Sequence, residues 1–128
     1  MIVITFGTFD LIHIGHIRIL ERAKQLGDKL IVGISSDNFS FSKKHKYPIY
    51  NENDRKKILD SIKFVDHVFI EESFEKKREY ILDNNADILV MGSDWEGKFD
   101  EFNDICKVIY FERTPSISTS EIIEIIKK

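Results

Sequence analysis

An apolar, β-branched run, Ile2-Val3-Ile4-Thr5-Phe6, leads through the turn Gly7-Thr8-Phe9-Asp10 into His13-Ile14-Gly15-His16, where an amphipathic stretch begins. A buried strand, a glycine turn and a helix start in that order point to an α/β sheet with a ligand at the end of its first strand. Two histidines three residues apart put two imidazoles beside the free backbone N–H groups of a helix N-terminus, where an anion is favoured. Gly15 between them lets a ligand approach the backbone. One such histidine alone reads as a helix cap or a satisfied core group, whereas the whole constellation reads as a nucleotide-phosphate motif.

The rest of the chain repeats the same grammar. Apolar runs predict strands over 2–6, 29–35, 66–70, 87–91 and 107–111, and amphipathic segments predict helices near 16–26, 52–63, 74–84 and 119–127. Leu30-Ile31-Val32 and Ile88-Leu89-Val90 are continuously apolar, as parallel strands covered on both faces are. In the first helix Ile17, Leu20, Ala23 and Leu26 form one stripe, which Gly27-Asp28 ends. The expected fold is a Rossmann-like, doubly wound sheet of five parallel strands flanked by helices. With 128 residues it forms a single domain spanning 1–128.

Composition narrows the partners. Lys plus Arg number 19 against 22 Asp plus Glu, a net charge of −3, so the overall field does not attract nucleic acid or an anionic membrane, and any cationic site is local. A lone cysteine, Cys106, excludes an internal disulfide and a multi-cysteine metal site. It reads as a small hydrophobe beside a strand in a reduced, cytoplasmic protein. No export signal and no run long enough to cross a membrane is expected.

In an open parallel sheet, ligands collect beyond the carboxyl ends of the strands, and the residues there are rich in chemistry. Thr8, Asp10, His13 and His16 follow the first strand; Asp37 and the cluster Lys43-Lys44-His45-Lys46 follow the second. Gly92-Ser93-Asp94-Trp95-Glu96-Gly97-Lys98 follows the fourth, and Arg113-Thr114-Pro115-Ser116-Ile117-Ser118-Thr119 the fifth. Ser118 and Glu121 have capping-box spacing, so Arg113, the hydroxyls and a helix N-terminus together suit a phosphate. The lysine cluster, read as a loop, is placed to fold over a triphosphate and neutralise charge on a leaving pyrophosphate. Asn51 is a plausible cap for the next helix, whose first-turn Arg55 is expected to reach the same phosphates.

Taken together, Gly7-Thr8-Phe9-Asp10, His13-Ile14-Gly15-His16, Leu20-Glu21-Arg22-Ala23-Lys24, Met91 to Phe99, Arg113-Thr114 and Ile117-Ser118-Thr119 resemble the cytidylyltransferase family of the nucleotidyltransferase superfamily. Within it, the glycerol-3-phosphate cytidylyltransferases are the most similar. The histidine motif is shared with adenylyltransferases and class I aminoacyl-tRNA synthetases; the Asp94-Trp95-Glu96-Gly97 and Arg113-to-Thr119 loops are more specific. The resemblance implies attack of a small phosphomonoester, glycerol 3-phosphate first among candidates, on the α-phosphorus of CTP with Mg²⁺ on the triphosphate. It implies phosphate contacts from Thr8, His13, His16, Lys43 or Lys46 and Arg55, with Phe9 among the nucleotide-binding residues. Asp94 is implied as a nucleoside contact, Arg113, Thr114, Ser118 and Thr119 as a substrate-phosphate loop, and a homodimer as the assembly. Asp10 is expected to orient the first loop.

The chain departs from that family in having Lys63 for an arginine, Phe74 for a tryptophan and Pro115-Ser116 for a Glu-Gly pair. Such changes leave other phosphorylated alcohols or an amino-acid derivative as alternative acceptors. Two readings of another kind are an adenylyltransferase, which should lack the Asp94-Trp95-Glu96-Gly97 loop, and a non-catalytic nucleotide sensor.

Overall fold

The computed structural model describes residues 1–112. Five parallel strands, β1 (Ile2–Gly7), β2 (Lys29–Ser35), β3 (His67–Glu71), β4 (Ile88–Gly92) and β5 (Lys107–Phe111), form one sheet in the order β3-β2-β1-β4-β5. Each strand lies within one residue of its expected bounds. The chain steps outward from β1 to β3 and then returns to place β4 on the other side of β1. The order therefore reverses at β1, and a crevice opens beyond the carboxyl ends of β1 and β4.

Alternation along the strands builds two cores. Val3, Leu30, Val32, Ile34, Ile88 and Val90 face one side, where they meet Leu20 and Ala23 of α1 (Ile14–Lys24) and Leu59 of α3 (Glu52–Asp60). Ile4, Phe6, Ile31, Leu89 and Met91 face the other, against Ile81 of α4 (Lys77–Asp83) and against Phe99 and Phe102 at the short 3₁₀ turn Asp100–Asp104. Fully burying each of these large aliphatic side chains contributes about 1.5–3 kcal/mol. Gly33 is required by this second core. A Cβ there would stand 2.6 Å from the Phe6 ring and 2.7 Å from that of Phe69, which now meet edge to face at 5.9 Å.

One element departs from expectation. Residues read as a lysine loop form α2 (Asp37–Lys44). Ser36 caps it by accepting a hydrogen bond from the Phe39 N–H at 3.0 Å, Asp37 sits in its first turn, and Lys43 and Lys44 sit in its last. Each charge therefore complements the helix dipole. His45, left-handed at φ 58°, ends the helix. The expected fourth helix, over 119–127, lies outside the described residues. Cys106 is half-buried before β5; its thiol donates to the Phe102 carbonyl at 3.5 Å, and burial raises its pKa. Among the described residues no helix is long and apolar enough to cross a membrane.

Candidate active site

His13, the last residue before α1, and His16, in its first turn, share the capping of that helix. His13 is the N-cap: its Nδ1 accepts a hydrogen bond from the Gly15 N–H at 3.1 Å, while Nδ1 of His16 accepts from the His13 N–H at 3.1 Å. This is the capping-box arrangement built from imidazoles. Since Nδ1 of His16 accepts, its neutral ring carries the proton on Nε2, a donor directed away from the His13 N–H. Burial, then the neighbouring His13, lower the His16 pKa to about 4, against a smaller opposing pull from Asp10. His16 is thus neutral at physiological pH and offers an N–H, not a positive charge, to an anion. The two rings lie 4.0 Å apart, and Phe9 stacks at a tilt 5.6 Å from His16.

The loop before them is held in an uncommon shape. Phe9 and Leu11 take left-handed conformations at φ 52° and 49°, each carrying a strain that non-glycine residues seldom hold without support. Asp10 between them is the support. It is only 7% exposed, and its two carboxylate oxygens accept the N–H groups of Ile49 at 2.7 Å and Tyr50 at 3.0 Å. The expected orienting role of Asp10 is thereby given a geometry.

Arg55 takes a place different from the expected one. Its side chain is fully buried on α3 and does not line the cavity described below. Nε donates to the Tyr50 carbonyl at 2.9 Å, Nη1 to those of Thr8 at 2.9 Å and Ser35 at 2.8 Å, and Nη2 to Asp37 Oδ1 at 2.7 Å. A guanidinium engaged by three carbonyls and a carboxylate positions backbone; it ties together the ends of β1 and β2 and the segment entering α3.

A cavity of about 770 Å³ opens at the sheet's carboxyl edge. Of the expected site residues it is lined by Thr8, Phe9, His16, Lys43 and Lys46, with Lys44 and Asp10 beside them. Lys43 Nζ donates to Ser35 Oγ at 2.8 Å and lies 4.4 Å from the Phe39 ring; its pKa is lowered chiefly by burial. His13 and Asp94 do not line the cavity, although Trp95, next to Asp94, does. Arg113, Thr114, Ser118 and Thr119 lie outside the described residues.

The cavity also contains residues that sequence reasoning passed over. Glu71, at the end of β3, and Lys77, at the start of α4, form a buried ion pair of 2.9 Å, with side chains 2% and 4% exposed. Burial raises the pKa of the carboxyl and lowers that of the ammonium, while each partner opposes the shift of the other. The Lys77 ammonium lies 3.9 Å from the Phe6 ring, 5.1 Å from Phe99 and 5.5 Å from Phe74, within reach of attraction by each aromatic face. Glu71 had a positional signal, since it ends a strand at the ligand-bearing edge. Lys77 lies in the stretch read only as an amphipathic helix near 74–84.

Among the described residues no group of three His, Cys, Asp or Glu side chains is placed to hold a metal ion.

The chain is similar to known proteins in sequence and in fold. The chain matches the cytidylyltransferase-like family over residues 4–125. It is 54% identical over 123 residues to the glycerol-3-phosphate cytidylyltransferase of Bacillus subtilis strain 168, covering 95% of this chain and 94% of that protein. To the enzyme of the same name from Staphylococcus aureus it is 48% identical over 120 residues, covering 94% and 90%. A crystal structure of a lipopolysaccharide core biosynthesis protein from Thermoplasma volcanium superposes with a TM-score of 0.76 at 25% identity, over 89% of this chain and 98% of that one.

Proposed function

Because the chain belongs to the cytidylyltransferase-like family, we propose that it transfers a cytidylyl group from CTP to glycerol 3-phosphate, giving CDP-glycerol and pyrophosphate. A phosphate oxygen of the acceptor attacks the α-phosphorus of CTP, and the bond to the β-phosphate breaks in line, pyrophosphate leaving with the electron pair. No covalent intermediate with the protein is needed, so the work is placement and charge stabilisation. The observation that carries this reading is the convergence of Thr8, His16, Lys43, Lys44 and Lys46 on one cavity at the strand-order reversal.

In this reading His16 Nε2–H donates to phosphate oxygens whose charge grows in the transition state, supported by the Thr8 hydroxyl. The His13 Nε2–H is assigned to the same phosphates. Lys43 or Lys46 neutralises the leaving pyrophosphate, and Lys77, paired with Glu71, adds a further cation to the cavity lining. Mg²⁺ arrives with CTP as part of the substrate, screening charge on the triphosphate. Arg113, Thr114, Ser118 and Thr119 complete the phosphate contacts, and Asp94 meets the nucleoside. The proposal includes a cytoplasmic location, which suits the single thiol, and a homodimer.

The test is an acceptor screen with CTP and Mg²⁺ that reads pyrophosphate release. Glycerol 3-phosphate is expected to exceed phosphocholine, phosphoethanolamine and sugar-alcohol phosphates in kcat/KM. Another acceptor in first place overturns the glycerol assignment, and release with ATP but not CTP overturns the reaction class.

A further inference from the structure

β2 runs apolar from Leu30 to Ile34 and then ends on a fully buried polar residue, Ser35. The backbone there is pinned on both sides: the Ser35 carbonyl accepts from Arg55 Nη1 at 2.8 Å, and the N–H of Ser36 donates to the Glu71 carbonyl at 2.8 Å. The hydroxyl of Ser35 therefore has a fixed place at the carboxyl edge of the sheet. It does not line the cavity, but Lys43, which does, reaches back to it, Nζ donating to Ser35 Oγ at 2.8 Å. The same ammonium lies 4.4 Å from the ring of Phe39, four residues earlier on α2. Lys44 and Lys46 line the cavity too, yet of these three ammonium groups only that of Lys43 is held by a hydrogen bond among the described residues.

The neutrality of the partner matters. A hydroxyl oxygen orients an ammonium without cancelling its charge, and it occupies one N–H while leaving the others to a ligand. Lys77, the other anchored lysine of the cavity, is offset by the Glu71 carboxylate at 2.9 Å. Lys43 makes no salt bridge among the described residues, and Glu71 attracts it only from farther away. The cavity thus holds one cation whose position is set and whose charge is not neutralised, a combination that a phosphate oxygen completes. A lysine is rich in rotamers, and freezing it on binding costs affinity; one already held has less freedom to lose.

We propose that Ser35 is a positioning residue for the transfer, its hydroxyl holding the Lys43 ammonium where a substrate phosphate meets it. This deepens the cytidylyl transfer proposed above and rests on it. The phosphate is that of CTP or that of the acceptor, so the experiment has an arm for each.

The test is a double-mutant cycle of Ser35→Ala and Lys43→Met, read by steady-state kinetics with CTP and glycerol 3-phosphate. Ser35→Ala removes a single oxygen from the end of an apolar strand, and Lys43 on the last turn of α2 is free to turn its ammonium to water, so the variant is expected to fold. Its kcat/KM is expected to fall roughly tenfold, as for a hydrogen bond to a charged group. In the Lys43→Met background the same substitution is expected to change kcat/KM by less than about twofold, because the group it positions is gone. An equal fall in both backgrounds is what a structural serine gives, and it overturns the proposal, as does a Ser35→Ala enzyme with wild-type kinetics. Calorimetric titration with inorganic pyrophosphate and, separately, with glycerol 3-phosphate runs the cycle again without turnover, which covers a Lys43→Met enzyme too slow to assay. Weakening by Ser35→Ala that disappears in the Lys43→Met background supports the proposal and, by the ligand affected, assigns the phosphate; no coupling with either ligand overturns it. A wild type that transfers nothing removes the cytidylyl reading, while the titrations still decide whether Ser35 acts through Lys43.

Discussion

Arg55 donates through Nη1 to the carbonyl oxygen of Thr8 at 2.9 Å, so a residue of α3 fixes the backbone of the loop that precedes the histidines. Lysine at this position keeps a positive charge but cannot reach three carbonyls and a carboxylate at once. Arg55→Lys is expected to lower unfolding free energy by about 2–4 kcal/mol, the cost of several lost or misaligned buried hydrogen bonds. Urea denaturation measures it, and a loss under about 0.5 kcal/mol contradicts the clamp.

His16→Ala is expected to reduce kcat on the order of a hundredfold, because a preorganised donor to developing charge is removed. The accompanying loss of a helix cap is smaller, about 1 kcal/mol. His13→Asn separates the two roles further, since asparagine retains an N-cap acceptor while removing the Nε2–H. Thermal unfolding close to wild type with strongly reduced turnover is the expected result; unaltered turnover in both variants contradicts the phosphate role.

The lowered pKa of His16 has a sign that can be checked. Its imidazole takes up a proton near pH 6.5 in the unfolded chain but only near pH 4 in the folded one, so between these values the unfolded state binds more protons. Its contribution to stability is therefore complete above about pH 6.5 and is lost as the pH falls toward 4. Nitrogen NMR of the ring should show the neutral Nε2–H tautomer still dominant at about pH 5.5, a full unit below the ordinary histidine value. A midpoint near the ordinary value contradicts the assignment.

Gly33→Ala is expected to destabilise the fold by about 1–3 kcal/mol through overpacking against Phe6 and Phe69. Because Phe6 also lines the cavity, the KM for substrates should rise with it. Calorimetric unfolding and steady-state kinetics on the one variant test both halves.

Titration calorimetry should find CTP bound more tightly than ATP. Equal or tighter ATP binding removes the cytidylyl assignment while leaving the sheet and its cavity intact.

How much of this was legible in the sequence depended on the range of the cause. Strands announced themselves through continuous apolar runs, because parallel strands buried on both faces allow little else. Helix α2 was missed because Asp37-Asn38-Phe39-Ser40-Phe41-Ser42-Lys43-Lys44 shows no apolar stripe; its evidence was in the ends, with Ser36 as a cap and two lysines in the last turn. Arg55 was misplaced because its surroundings are made of carbonyls from positions 8, 35 and 50, and carbonyls are invisible to residue type. Glu71 and Lys77 escaped notice because either charge alone reads as solvated, and only the fold brings them together.

The left-handed residues that flank Asp10 have an evolutionary corollary. Glycine at Phe9 or Leu11 would relieve backbone strain at once, so a search for thermal robustness has an easy substitution at either position. The same relaxation would free the stretch between Thr8 and His13 to sample shapes in which the histidine donors no longer meet one anion. At these two positions backbone relaxation and turnover therefore pull in opposite directions.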